Sequence, residues 1–140
     1  MDNNPNVIFD VTKSAKTYIR FRTPYMDSVI EDTPGFLSGW NTANHYFYEV
    51  RNYDGKFIFT QLAFSSKNLV EDQRVIMDEI DHYYPAKKGK ENWQWRLPFR
   101  TQKYYLDEDS LEESVKEAMD KCIEEILAFE KELKAILQNS

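Results

Sequence analysis

Asn44-His-Tyr-Phe-Tyr-Glu-Val-Arg-Asn-Tyr-Asp-Gly-Lys-Phe-Ile-Phe-Thr-Gln-Leu-Ala-Phe64 holds two runs rich in aromatic and β-branched residues on either side of Asp54 and Gly55. An Asp-Gly pair between such runs signals a β-hairpin, because glycine accepts the positive φ that a tight hairpin turn imposes. A lone hairpin is marginal in water, so its apolar face requires further strands and helices to cover it. The register stays open. A two-residue turn pairs Val50 with Phe59 and a three-residue loop pairs Val50 with Ile58, and one residue of slip exchanges the two faces of the sheet.

The neighbouring segments supply the cover. Thr17 to Thr23 alternates, with Ile19 and Phe21 opposite Tyr18, Arg20 and Arg22, as in a half-buried strand with a basic outer face that ends at Pro24. Val7 to Val11 is a short strand candidate, and Tyr25 to Ile30 fits one or two helical turns. Pro34 to Trp40 reads as a loop whose Trp40 folds back on the sheet. Asn68 and Glu71 form a capping-box pattern ahead of Leu69, Gln73, Ile76, Ile80 and Tyr83, which predicts a helix over 68–84. Ala86 to Asn92 is a basic loop, Trp93 to Arg96 a short strand candidate, and Phe99 to Leu106 a further strand beyond Pro98. A long helix over 109–137, capped by Asp109 or Ser110, carries Leu111, Val115, Met119, Cys122, Ile126, Phe129, Leu133 and Ile136 at helical spacing. Its length of about 42 Å exceeds what a chain of this size spans, so it is expected to overhang the sheet, bend or meet a partner.

These elements define an α+β fold: an antiparallel sheet of about four strands with one medium and one long C-terminal helix packed on one face. The 140 residues suit a single domain over 1–140, with 1–13 partly disordered. A hydrophobic share of 41% is too high for a disordered chain. Acidic residues number 24 against 18 basic, a formal charge of -6, and the imbalance is local: residues 107–140 hold 11 acidic and 4 basic side chains. The N-terminal stretch lacks the pattern of a secretory signal and no run has the length to cross a bilayer, so the expected location is cytoplasmic and no membrane is involved.

Chemistry is sparse in the sequence. Cys122 is the single cysteine and falls in an apolar helical stripe, which makes it a core residue and leaves no thiolate cluster. His45 and His82 are far apart in the chain, and the four glycines never cluster into a phosphate-cradling loop. Asp54-Gly55-Lys56 is a faint echo of a metal-dependent nuclease site, but it falls on a hairpin turn where the carboxylate meets solvent. No catalytic residue, metal ligand or cofactor is expected. Binding candidates are better represented. Arg20, Arg22, Lys87, Lys88, Trp93, Trp95, Arg96 and Arg100, with Lys90 and Lys103, combine cations with rings on which bases could stack. Ile126, Phe129, Leu133 and Ile136 are the candidates for a protein interface on the overhanging helix.

Tyr18-Ile-Arg-Phe-Arg-Thr23, Met26-Asp-Ser, Ser38-Gly-Trp40 and Tyr46-Phe-Tyr-Glu-Val-Arg-Asn52, followed by a helix leading to Trp93 and the long acidic helix, occur in an order that resembles a known arrangement. It is similar to the C-terminal accessory region of bacterial and phage proteins whose N-terminal half is a PD-(D/E)XK nuclease. The resemblance spans most of residues 14–137 through short, aromatic-rich motifs. The metal ligands of that family lie in a half this chain lacks, so no catalytic residue carries over. The resemblance implies a detached, non-catalytic module, associated with a nuclease or phage-defence system, that recognises DNA or a partner protein. The expected function is a non-enzymatic binding or accessory module. Protein interaction or self-association through the long helix is placed ahead of nucleic-acid contact, and a cryptic nuclease comes last.

Overall fold

The hairpin forms the middle of an antiparallel sheet in a computed structural model that describes residues 8–9, 18–85 and 95–139. The strands are β1 (Ile8–Phe9), β2 (Tyr18–Arg22), β3 (Tyr46–Tyr53), β4 (Phe57–Ser65), β5 (Trp95–Arg100) and β6 (Tyr104–Tyr105). They lie in the order β1-β2-β3-β4-β5, with β6 also paired to β4. Helix α1 (Pro24–Val29) follows β2, α2 (Glu71–Tyr83) follows β4, and α3 (Leu111–Gln138) ends the chain. The fold is therefore α+β with a long C-terminal helix. The two-residue β1 falls within the Val7 to Val11 candidate, while the strand expected over Phe99 to Leu106 is split: Phe99 and Arg100 end β5, residues 101–103 are not strand, and Tyr104–Tyr105 form β6. Lys87, Lys88, Lys90 and Trp93 lie outside the described residues, as does most of the 1–13 segment.

The turn chemistry is as the sequence indicates, but the register is neither of the two expected. Asp54 (φ 50°) and Gly55 (φ 71°) are both left-handed, and the Lys56 amide donates to the Tyr53 carbonyl at 2.8 Å. Lys56 is then an extra residue before pairing starts, its carbonyl accepting from the Leu106 amide at 2.8 Å. Tyr53 consequently faces Phe57, and Val50 faces Thr60. This one-residue insertion sends Val50, Ile58, Leu62 and Phe64 to the buried face and Phe57 and Phe59 to the other.

Three other local expectations are corrected. Pro98 lies within β5 and separates nothing. The strand is at the end of the sheet and its pairing with β4 shifts register between Leu62 and Phe64, where a missing amide does least harm. Asn68 does not cap α2. It adopts φ 57° and its side-chain amide donates to the Leu37 carbonyl at 2.8 Å, while the helix starts after Val70 without a side-chain cap. Ser110 precedes α3 but makes no capping bond. A 3-10 turn over Glu108–Ser110 intervenes, and Asp107 accepts from the Asp109 amide at 2.9 Å.

All three helices contribute to one core against the Tyr46, Tyr48, Val50, Leu62 and Phe64 face. Met26 and Ile30 come from the α1 region, Met77 and Ile80 from α2, and Met119, Cys122, Ile126, Phe129 and Leu133 from α3. Cys122 is buried, which pushes its thiol upward in pKa. Phe129 stacks on Phe99 with centroids 4.3 Å apart and meets Tyr84 edge-on at 5.0 Å. The interface candidates on α3 are core residues of the chain itself: Ile126, Phe129 and Leu133 are buried, and Ile136 is half-buried. Leu111, 49% exposed, is the large apolar residue that α3 leaves in solvent among the described residues.

One carboxylate is buried in this core. Glu130 accepts hydrogen bonds from the Thr23 hydroxyl and the Tyr48 hydroxyl, each at 2.6 Å. Thr23 also caps α1 through its contact with the Met26 amide at 3.2 Å, so a single node ties β2, α1, β3 and α3. Burial pushes the Glu130 carboxyl above the usual range and nearby Asp27 adds to the rise, while the two hydroxyl donors oppose it. The folded state therefore holds this proton more readily than the unfolded chain does. Stability from this group is full below the ordinary glutamate range and falls as pH rises through the raised folded value. Glu130→Gln is expected to flatten that decline, read as urea midpoints across mildly acidic to neutral pH. An unchanged slope would assign the decline to other groups.

Candidate functional site

The opposite face of the sheet has a different composition, which the hairpin register determines. Strand alternation places Phe47, Glu49, Arg51 and Tyr53 of β3 beside Ala63, Gln61, Phe59 and Phe57 of β4, with Arg20 of β2 next to Glu49 and Arg100 of β5 next to Gln61. Among the described residues no helix lies on this face. The loop after α1 reaches across one end of it. There Trp40 meets Phe47 edge-on at 4.9 Å and Trp95 at 4.7 Å. The loop is anchored by the Gly39 amide donating to the Ser65 hydroxyl at 2.8 Å. His45 anchors it from the other side: its buried ring bridges Thr33 at 3.2 Å and the Lys67 carbonyl at 2.9 Å, and since a carbonyl only accepts, Nε2 carries the proton. His45 is thus a structural residue.

Between the Trp40 and Trp95 wall and Phe59 lies an open cleft of about 600 Å³. Its floor contains Glu49, Gln61 and Ala63, and Arg20 and Arg51 border it. Glu49 accepts from Arg20 Nε at 3.0 Å and from Gln61 Nε2 at 3.1 Å, with an Arg51 guanidinium nitrogen at 3.9 Å. Two cations therefore surround one largely buried carboxylate, and the cleft carries a net positive charge. From the cleft the aromatic surface continues to the hairpin tip. Phe59 and Phe57 are 6.2 Å apart, and Phe57 is stacked on Tyr53 at 5.1 Å and lies 5.4 Å from Tyr105. Tyr53 and Tyr105 are 57% and 73% exposed. Arg100 sits over the Phe59 ring at 5.3 Å and Lys103 over Phe57 at 5.0 Å.

Charge is segregated across the two layers. The open face presents Arg20, Arg51, Arg100 and Lys103 against Glu49, while Asp54 and Lys56 offset each other on the turn. On the other side α3 carries eight acidic and four basic residues, and α2 adds five acidic residues against Arg74. The sheet face is thus locally basic in an acidic protein.

Of the residues singled out in the sequence, Arg20, Trp95 and Arg100 fall on this face. Arg96 does not: its guanidinium turns toward α2, donating to Asp78 at 2.8 Å and to the Ser66 hydroxyl at 3.1 Å. Arg22 lies 3.7 Å from Asp27, at the α1 edge. Asp54 is exposed on the turn, and among the described residues no three His, Cys, Asp or Glu side chains are grouped so as to hold a metal ion. Trp40, Arg51, Phe57 and Phe59 join the site although the sequence reading did not select them. For Arg51, Phe57 and Phe59 the signal was the hairpin register, which the extra residue Lys56 displaced, while Trp40 lies in the loop before β3 and had no such signal.

The fold and the face together define a class, an α+β domain that exposes an aromatic and basic β-sheet surface opposite an acidic helical layer. Comparison of the chain with family models, with curated proteins and with solved structures gives no match. Among the described residues no helix is long and apolar enough to cross a membrane.

Proposed function

We propose that this chain is a non-enzymatic binding module whose recognition surface is the open sheet face and whose ligand is single-stranded nucleic acid. The observation that carries the reading is the interleaving of rings and cations on one face: Trp40, Trp95, Phe59, Phe57 and Tyr53 alternate with Arg51, Arg100 and Lys103. Rings of this kind stack on bases that are free of a duplex, each contact contributing about 1 to 3 kcal/mol. The cations meet the phosphates between those bases. Self-association through α3, the reading favoured by the sequence, loses support because its anchors are internal. A nucleic-acid ligand also agrees with the resemblance to the accessory region of nucleases, where such a surface would hold a strand beside a catalytic partner.

The acidic helices lie behind the sheet by about one layer, close to the Debye length of about 10 Å at 0.1 M salt, so they oppose binding weakly under physiological conditions. Arg51, Arg100 and Lys103 carry exposed side chains on this face and would be the phosphate partners, whereas Arg20 is mostly covered and held at 3.0 Å by Glu49. With three such contacts, the logarithm of affinity for an oligothymidylate should fall with the logarithm of salt with a slope of about -2. Quenching of tryptophan fluorescence between about 50 and 200 mM salt measures it. Absence of binding at the low end would reject the proposal.

A further inference from the structure

We infer that the cavity where β6 meets the first half of α3 receives the terminal phosphate of the bound strand, an inference that rests on the proposed nucleic-acid reading and names the end group of its ligand. The cavity has a volume of about 180 Å³. Sites that enclose a drug-sized molecule measure about 300 to 1,000 Å³, so this one suits a single phosphate group rather than a base. It adjoins the tip end of the aromatic run. Tyr105 belongs to both, lining the cavity and lying 5.4 Å from Phe57, and Lys103 lines it with an ammonium 5.0 Å from the centre of the Phe57 ring. A strand followed along the open face past Phe57 therefore arrives at this opening.

The charged groups select what enters. Lys103 precedes β6 and Lys121 lies on α3, and both line the same small space. Their ammonium groups rest over rings, Lys103 over Phe57 and Lys121 over Tyr104 at 5.7 Å, and among the described residues neither forms an ion pair. A ring takes one side of an ammonium and leaves N–H donors for an anion. Two like charges on one cavity repel, and an anion placed between them relieves that repulsion. Other polar groups of the lining are already engaged: the Ser114 hydroxyl donates to the Leu111 carbonyl and accepts from the Asp107 amide, each at 3.0 Å, and the Tyr104 hydroxyl donates to Glu125. Glu117 borders the cavity as well and opposes an anion, but the two lysines leave the lining net positive. An internal phosphodiester carries one negative charge and a terminal monoester about 1.5 to 2 at pH 7, so this pair of lysines favours the end of a strand over its middle.

Oligothymidylates of one length bearing a 5′-phosphate, a 3′-phosphate or hydroxyls at both ends, titrated by tryptophan fluorescence, test the inference. One of the two phosphorylated strands should bind about tenfold tighter than the unphosphorylated strand, the size of one hydrogen bond to a charged group. Its salt slope should be steeper by about 0.7, as for one further phosphate contact. The end that gains sets the direction in which the strand lies. Lys121→Gln should bring the three strands to equal affinity, and Glu117→Gln should widen the difference. No gain at either end, or the same gain at both as charge alone would give, would overturn the end-phosphate site and leave the nucleic-acid reading standing. A gain that survives Lys121→Gln would overturn the site as well. Failure of every strand to bind would overturn both readings.

Discussion

Phe129→Glu is expected to abolish cooperative folding, and Phe129→Ala to lower the unfolding free energy by about 3 to 5 kcal/mol. The ring is stacked on Phe99 and edge-on to Tyr84, so it joins α3, β5 and the end of α2 in one contact. Truncation to alanine removes that contact and leaves a cavity which three different elements would have to collapse to fill. Domains of this size are stable by about 5 to 15 kcal/mol in all, so the alanine variant should survive with reduced stability. A glutamate at the same place puts a carboxylate with no donor among apolar groups, next to the already buried Glu130. Urea unfolding followed by circular dichroism distinguishes this from an interface role. A Phe129→Glu protein that keeps its fold and loses only an oligomer would show that α3 uses this residue outside the core.

Combined Arg51→Glu and Arg100→Glu should reduce affinity for a single-stranded oligonucleotide by at least about a hundredfold at 0.1 M salt, consistent with the loss of two phosphate contacts and the introduction of like charge. The open face would change from a basic to an acidic surface, matching the acidic helical layer behind it. Both side chains are surface groups on strands whose packing faces the other way, so melting temperature should move little. Arg100 also covers Phe59, so Arg51→Glu alone, which leaves that cover in place, separates the loss of charge from the exposure of the ring. Anisotropy of a labelled strand measures the effect. Undiminished affinity in the double variant would place the binding surface elsewhere.

Much of the fold was legible because it depends on short-range rules. Asp54-Gly55 specified the turn, the spacing of Met119, Cys122, Ile126, Phe129 and Leu133 specified the buried stripe of α3, and Tyr25 to Ile30 gave α1. What failed depended on single residues whose conformation is set by distant contacts. Lys56 shifts the hairpin register because its carbonyl meets Leu106, a partner fifty residues away in sequence. Asn68 looks like a helix cap, yet the Leu37 carbonyl draws it into a left-handed turn. Pro98 reads as a boundary only while β5 is not known to be at the end of the sheet.

The site was legible in kind and only partly in place. Cations and rings were recognised as a set, and Arg20, Trp95 and Arg100 do share a surface. Arg96 has similar chemistry but pairs with Asp78, because the register shift in β4 and β5 turns it toward α2. Trp40 read as a residue folded onto the sheet, and it does contact Phe47, but it is also one wall of the cleft. No spacing rule could reveal that second role, since the opposing wall, Phe59, is assigned to a face only once the register is fixed.

Mapping of backbone amide shifts on titration with a short unlabelled DNA strand tests the central claim most directly, because it reports which layer is touched. The open-face account predicts that the largest perturbations fall on Trp40, Arg51, Phe57, Phe59, Gln61 and Arg100, with the outer positions of α3 such as Lys116, Glu124 and Lys131 unmoved. Perturbations concentrated on α3, or none at saturating strand, would contradict it.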